Sequence, residues 1–177
     1  MPNTLIINGN PNGYFTQQVI AAAMYGLGYN NYTIIDQNSD RKYAVQKLLE
    51  ADRVLVVSPI YWGRLPGRVE TLLDEILIPG KVFKFMSIPV LTKWFGFKYS
   101  KGYTKIKEMH FVLSYGSPMP AMFCVPFFRL GFMLAKLILN VKKVRHIPTY
   151  LCEGEEAEGR RHKTIKRVYK LCNSWRS

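Results

Sequence analysis

Three short stretches combine residue types that can hold an anionic, planar ligand: "NGNPNGYFTQQ" from Asn8, "SPIYWGRLPG" from Ser58 and "SYGSPMPAM" from Ser114. In the first, an apolar run gives way to Gly, Pro and Asn, and a helical pattern begins near Thr16. A helix N-terminus leaves backbone N–H groups without partners and carries partial positive charge, a combination that binds phosphate. Thr16 can add a hydroxyl, and Gln17 and Gln18 can add amides. The same residues also suit an ordinary strand-to-helix turn with Thr16 as N-cap, so this loop alone leaves both roles open. It is neither GxGxxG with an acid about 20 residues on nor GxxxxGK[ST]; neither a dinucleotide fingerprint nor a P-loop is indicated.

The second stretch sets Tyr61 and Trp62 directly after the apolar run "RVLVVS", with Gly63 next and Pro66 opening a helix. Large rings beside exposed backbone can stack on a planar ligand while peptide groups hydrogen-bond its edge. They can equally cap the core or line a subunit contact. In the third stretch, Ser114 and Gly116 permit close approach of a ligand, and Tyr115 can stack or donate a hydrogen bond. Gly116 and Pro118 also account for a plain turn. His110, His146 and His162 are scattered and give no metal-ligand spacing. Cys124, Cys152 and Cys172 are odd in number and widely spaced, which suits neither a disulfide framework nor a zinc site; they read as reduced and buried.

The elements that must position these loops alternate. Buried strands are expected at Thr4–Asn8, Tyr32–Asp36, Arg53–Ser58, Met109–Gly116 and Lys143–Leu151, the last bent or near an edge because of Pro148. Between them lie the helical patterns "FTQQVIAAAMYGL", "YAVQKLLEA", "GRVETLLDEIL" and "PFFRLGFMLAKLILN", and a closing helix runs from Glu155 to Trp175. Strands alternating with helices predict an open α/β fold, a parallel sheet covered on both faces with right-handed crossovers. In such a sheet, ligands bind outside the carboxyl ends of the strands at the topological switch point, where the three loops above fall.

The chain has 177 residues, enough for one domain spanning residues 1–177 with a sizeable core. No uninterrupted apolar stretch reaches membrane-spanning length; Pro126, Arg129 and Lys136 break the closest one. The N-terminus lacks the features of a signal peptide, so the cytoplasm is the default location. The net charge of +13 favours anionic partners. Much of it lies between Lys81 and Lys107 and from Arg160 onward. In the tail, "EGEEAEG" precedes "RRHKTIKRVYKL", an order of charge that a solvated helix favours through its dipole. Its aromatics are not interleaved with the charges as a nucleic-acid stacking platform requires, so no nucleic-acid partner is expected.

Taken together, the loops resemble the flavodoxin-like NAD(P)H:quinone oxidoreductase family. The resemblance centres on "ADRVLVVSPIYWGRLPGRVETLLDEILIPGKVFKF", Ala51–Phe85: an apolar strand, a Pro–aliphatic–aromatic–aromatic turn, then Pro, a helix containing an Asp, Pro–Gly and an aromatic. "INGNPN…FT" resembles the family's phosphate loop and "SYGSP" its third loop. The resemblance implies a flavodoxin-like three-layer α/β/α fold with a five-stranded parallel sheet in the order 2-1-3-4-5. It implies FMN as cofactor, NAD(P)H as electron donor and ping-pong transfer to a quinone-like or other aromatic small-molecule acceptor, with a homodimer as the assembly. By similarity, the phosphate would sit on Asn10, Asn12, Phe15, Thr16 and Gln18. The ring would lie against Pro59, Ile60, Tyr61, Trp62 and Gly63, and against Ser114, Tyr115 and Gly116. The flavin carries the chemistry, so no catalytic side chain and no metal is implied. Trp94, Phe95, Phe97 and Tyr99, in the basic aromatic segment 85–107, are candidates for walling the acceptor site together with Tyr115; a loop folded over a hydrophobic edge is the other reading. Asn10 and Ser117 depart from the residues many relatives carry. A flavin-binding electron carrier without its own nicotinamide chemistry is the alternative function, though such carriers are usually acidic.

Overall fold

The computed structural model describes residues 3–28, 31–61, 65–87, 93, 98–116, 138–151 and 155–176, excepting the side chains of 87, 98–100 and 155. The described elements are β1 (Thr4–Asn8), α1 (Tyr14–Leu27), β2 (Tyr32–Asp36), α2 (Arg41–Glu50), β3 (Arg53–Ile60), α3 (Gly67–Ile76), β4 (Phe83–Ser87), β5 (Lys98–Gly102), β6 (Glu108–Tyr115), β7 (Lys143–Tyr150) and α4 (Glu155–Asn173). Five strands form a parallel sheet in the order β2-β1-β3-β6-β7, consistent with the expected order once the two short strands are set aside. Those two, β4 and β5, pair antiparallel as a separate ribbon. The ribbon corrects the expectation of a loop over 85–107. Its strands read as loop because each is only five residues long and β5, "KYSKG", carries a single apolar residue. The helical pattern over 126–140 lies almost wholly outside the described residues.

Alternating side chains divide between two cores, as a sheet covered on both faces requires. Leu5, Ile7, Val54, Val56, Met109, Phe111 and Leu113 face α2 and α3 and meet Ala44, Leu48, Leu72 and Ile76. Ile6, Leu55, Val57, Val112 and Ile147 face α1 and α4 and meet Val19, Ala23, Leu27, Val168, Cys172 and Trp175. Pro148 is accommodated because β7 is an edge strand. Two glycines set the spacing of α1. A Cβ on Gly26 would come within 2.7 Å of the Tyr169 carbonyl oxygen and 2.8 Å of Cys172 Cβ, so Gly26 lets α1 and α4 approach backbone to side chain. Gly28, at φ 75°, ends α1 by donating its N–H to the Met24 carbonyl at 3.0 Å.

The amino ends of the strands are tied by side chains. Asn3 N–H donates to Asp52 Oδ2 at 3.0 Å. The Arg53 guanidinium donates to the Trp175 carbonyl and lies over the indole. Trp175 in turn packs edge-on against buried His110, centroids 5.1 Å apart. Glu108 bridges His110 Nε2 at 3.2 Å and Lys143 Nζ at 2.9 Å. Burial holds His110 below the usual histidine range, against the pull of Glu108. Glu108 lies below the usual carboxylate range because its bonds to Lys143 and His110 outweigh its partial burial. Among the described residues, no helix is long and apolar enough to cross a membrane.

Candidate functional site

The carboxyl ends of β1, β3 and β6 lie side by side, with Asn8 beside Val57, Pro59 beside Ser114 and Ile60 beside Tyr115. The three loops singled out in the sequence therefore converge at one end of the sheet. Within the described segments 8–18, 58–61 and 114–116 there is no charged residue, although the chain carries +13.

The first loop is a folded cradle. Gly9 N–H donates to the Val57 carbonyl at 2.7 Å, and a Cβ at Gly9 would lie 2.4 Å from Ser58 Oγ; only glycine fits between β1 and β3 here. Asn10 N–H donates to Asn8 Oδ1 at 3.1 Å, and Gly13 N–H to the Asn10 carbonyl at 3.0 Å. The Asn10 side-chain amide lies against Gly13, again where a Cβ would clash. Gln17 N–H donates to the Gly13 carbonyl at 2.9 Å, closing the first helical bond, and the Gln17 side-chain amide returns to the Pro11 carbonyl.

α1 begins at Tyr14, two residues earlier than expected, with Gly13 and not Thr16 at the N-cap position. Gly13 has no side chain to cap the helix, and the first turn holds no acid. The N–H groups of Tyr14, Phe15 and Thr16 accordingly have no acceptor among the described residues. α2 starts differently: Asp40 accepts from Tyr43 N–H at 2.8 Å. Three free amides at the positive end of a helix dipole, held by a loop too tight for a Cβ, have the chemistry of an oxyanion seat.

The candidate side chains take different places around this seat. Asn12 is exposed, Thr16 is buried at the third helical position, and Phe15 packs into the α1–α4 core, leaving its backbone to the loop. Gln18 is directed away: it lines a groove between α1 and α4. Pro59 and Ile60, expected beyond the strand, are the buried last two residues of β3. Ser58 Oγ donates to the Pro59 carbonyl at 2.9 Å, which fixes that strand end. Tyr61 follows with 56% of its surface exposed, at the rim where a ring can meet a planar ligand. Ser114 is buried; Gly116 is exposed, with nothing within 4 Å of the space a Cβ would fill.

Tyr115 lies deeper than its neighbours at this rim. Its side chain is 2% exposed and shares a hydrogen bond between its hydroxyl and His146 Nε2. His146 pairs with Phe111, four residues back along β6, so the ring runs back along the sheet and joins the core. Burial raises the Tyr115 phenol above its ordinary value. Burial, helped by Arg167, lowers His146 to about 4. Trp62, Gly63, Trp94, Phe95 and Phe97 lie outside the described residues, as does the side chain of Tyr99. Sequence reasoning passed over Gly9, Gly13 and Tyr14. The signal was present in the glycines of "NGNPNG", each standing where a side chain would clash.

Residues 2–171 match a family profile described as a flavodoxin-like fold. Among solved structures, the chain is similar to an NAD(P)H:quinone oxidoreductase from Methanothermobacter marburgensis (12% identity, 98% of each chain covered, TM-score 0.68). It is similar to an FMN-dependent NADH-azoreductase from Bacillus anthracis in complex with FMN (13%, 100% of each, 0.69). It is also similar to general stress protein 14 from Treponema denticola in complex with FMN (16%, 98% of this chain and 99% of that chain, 0.66). At these identities the likeness is one of fold. No curated protein matches the chain.

Proposed function

The chain belongs to the flavodoxin-like fold family, and on that premise we propose that it is an FMN-dependent oxidoreductase acting between NAD(P)H and a quinone-like or other aromatic acceptor. The observation that carries this reading is the set of amides at Tyr14, Phe15 and Thr16 that have no acceptor among the described residues, at the start of the helix that follows β1, whose neighbour in the sheet is β3. The residues fit a flavin phosphate: the seat offers N–H donors, helix dipole and the Thr16 hydroxyl, with no carboxylate in the loop to repel an anion. The names of the quinone oxidoreductase and of the two FMN complexes support the same assignment.

In this reading Asn10 and Gly9 shape the seat and Asn12 borders it. Gln18 serves α1 through its backbone only. The backbones of Pro59, Ile60, Ser114, Tyr115 and Gly116 border the ring, and Tyr61 offers a face to stack on. Trp62 and Gly63 are assigned to the ring, and Trp94 and Phe95 to the acceptor, from the sequence alone. A flavin bound there would supply the redox chemistry between NAD(P)H and the acceptor, expected in ping-pong order. The protein's own work is to fix the cofactor and keep the bordering backbone groups oriented toward its edge. A homodimer of single-domain chains completes the proposal.

The test is direct. The purified protein is examined for flavin absorbance, then mixed anaerobically with NADH or NADPH. Yellow protein that bleaches rapidly, and reoxidises with a quinone, is the expected result. Colourless protein that also takes up no added FMN would overturn the proposal. Bound flavin that neither nucleotide reduces would leave the electron-carrier reading in its place.

A further inference from the structure

α1 and α4 meet along two matching stripes that nothing in the flavin proposal uses. Gln18, Ala21, Ala22 and Tyr25 lie at positions i, i+3, i+4 and i+7 of α1, and His162, Ile165, Lys166 and Tyr169 at the same spacing on α4. Between them runs an open groove of about 720 Å³. Its floor is alanine, and its rims carry two tyrosines that are 76% (Tyr25) and 44% (Tyr169) exposed. The close crossing at Gly26 holds the two helices in contact.

The charge on the two sides is unusual. α1 contains no ionisable acid or base other than its tyrosines, and the chain from Gly159 to its end contains no acid. Lys163, Lys166 and Lys170 are exposed on α4, and none has an acidic partner among the described residues. The result is an apolar, tyrosine-edged groove beside uncompensated cations. Amphipathic rings and long cationic stems are the side chains that settle at a bilayer's interface, rings at headgroup level and amines on the phosphates.

We propose that the α1–α4 face docks on an anionic phospholipid surface, Tyr25 and Tyr169 entering the headgroup layer and Lys163, Lys166 and Lys170 contacting lipid phosphates. A second copy of the chain fits the face poorly, because it brings the same cations. A nucleic acid fits less well than lipid, because the two rings flank one groove and form no series of platforms for successive bases.

The experiment sediments the whole protein with vesicles of phosphatidylcholine alone and of phosphatidylcholine with phosphatidylserine. Binding to the anionic vesicles, absent with phosphatidylcholine and lost at high salt, is expected. The double change Lys166→Glu and Lys170→Glu should weaken it about 30-fold or more. The double change Tyr25→Ser and Tyr169→Ser should weaken it several-fold with the charge unchanged. All four side chains are exposed, and thermal melting of each variant checks the fold. Absence of binding, equal binding to neutral vesicles, or full binding by either variant overturns the proposal. So does a single-stranded RNA oligonucleotide that binds this face while the anionic vesicles do not.

Discussion

At the amino end of the sheet, side chains lock strand to strand: Asp52 on Asn3, Arg53 on Trp175, and Glu108 on both His110 and Lys143. At the carboxyl end, Gly9 and Gly13 pack too tightly for a Cβ, Gly116 is open, three amides of α1 lack acceptors among the described residues, and the described loops hold no charge. The same strands serve both ends. The difference teaches that the chain places its stabilising contacts away from the ends where a ligand would bind, so that the loops there can leave donors unsatisfied.

The largest test of that division is Trp175→Ala. Trp175 is 3% exposed and touches His110, Arg53 and the α1–α4 core. Its loss should cost about 3–5 kcal/mol of stability, read by urea unfolding. FMN affinity, measured where the variant is still folded, should be unchanged. A parallel fall in affinity would mean that the two ends are coupled.

Acid should act next. His110 and His146 both lie below the ordinary histidine value of 6.5 in the fold. The folded state therefore favours neutral rings, while the unfolded chain takes up protons as pH drops through 6.5. Stability is fully present above that pH and is lost as pH falls. For His146 the window runs from 6.5 to about 4, with about 3 kcal/mol at stake. His146→Gln, which keeps a polar partner for the Tyr115 hydroxyl, should flatten the pH profile of unfolding over that window. An unchanged slope would assign the acid sensitivity elsewhere.

The sheet and the helices α1, α2, α3 and α4 were legible because apolar runs and 3.6-residue periodicity are local signals, and Tyr32–Asp36 and Thr4–Asn8 were read to the residue. Strand β3 ran two residues further than its polar Ser58 suggested, because Pro59 and Ile60 pair with β6. The β4–β5 ribbon was hidden by lysines. Its identity as a ribbon depends on pairing, and on Gly102 packing so closely that a Cβ there would lie 2.6 Å from the Ile138 carbonyl oxygen, neither visible in composition. In the site, loop positions could be read but side-chain directions could not. The Tyr115 hydroxyl meets His146 inside the core, and Gln18 lies on the α1 face that lines the groove beside α4.

Asn12→Glu separates the phosphate seat from helix stability. Asn12 is exposed, just before the N-cap of α1. A carboxylate there complements the helix dipole and should leave stability equal or raise it by up to ~0.5 kcal/mol. The same charge opposes a bound phosphate and should weaken FMN binding about tenfold. Opposite signs in the two measurements are the expected signature; unchanged FMN affinity in a spectrophotometric titration would remove the seat from α1.

Asp40→Ala gives the smallest effect and sharpens the comparison most locally. α2 also follows the carboxyl end of a strand, β2, so position at that end of the sheet does not distinguish it from α1. What distinguishes it is the Asp40 carboxylate, which accepts from Tyr43 N–H and occupies the helix start that α1 leaves open. Removing the carboxylate should cost about 1 kcal/mol and expose amides resembling those of α1. FMN binding should nevertheless stay as it was, because the α2 start lacks the neighbouring ends of β3 and β6. If Asp40→Ala altered flavin stoichiometry or affinity, free amides at any helix start would suffice, and the convergence of three loops would lose its explanatory role.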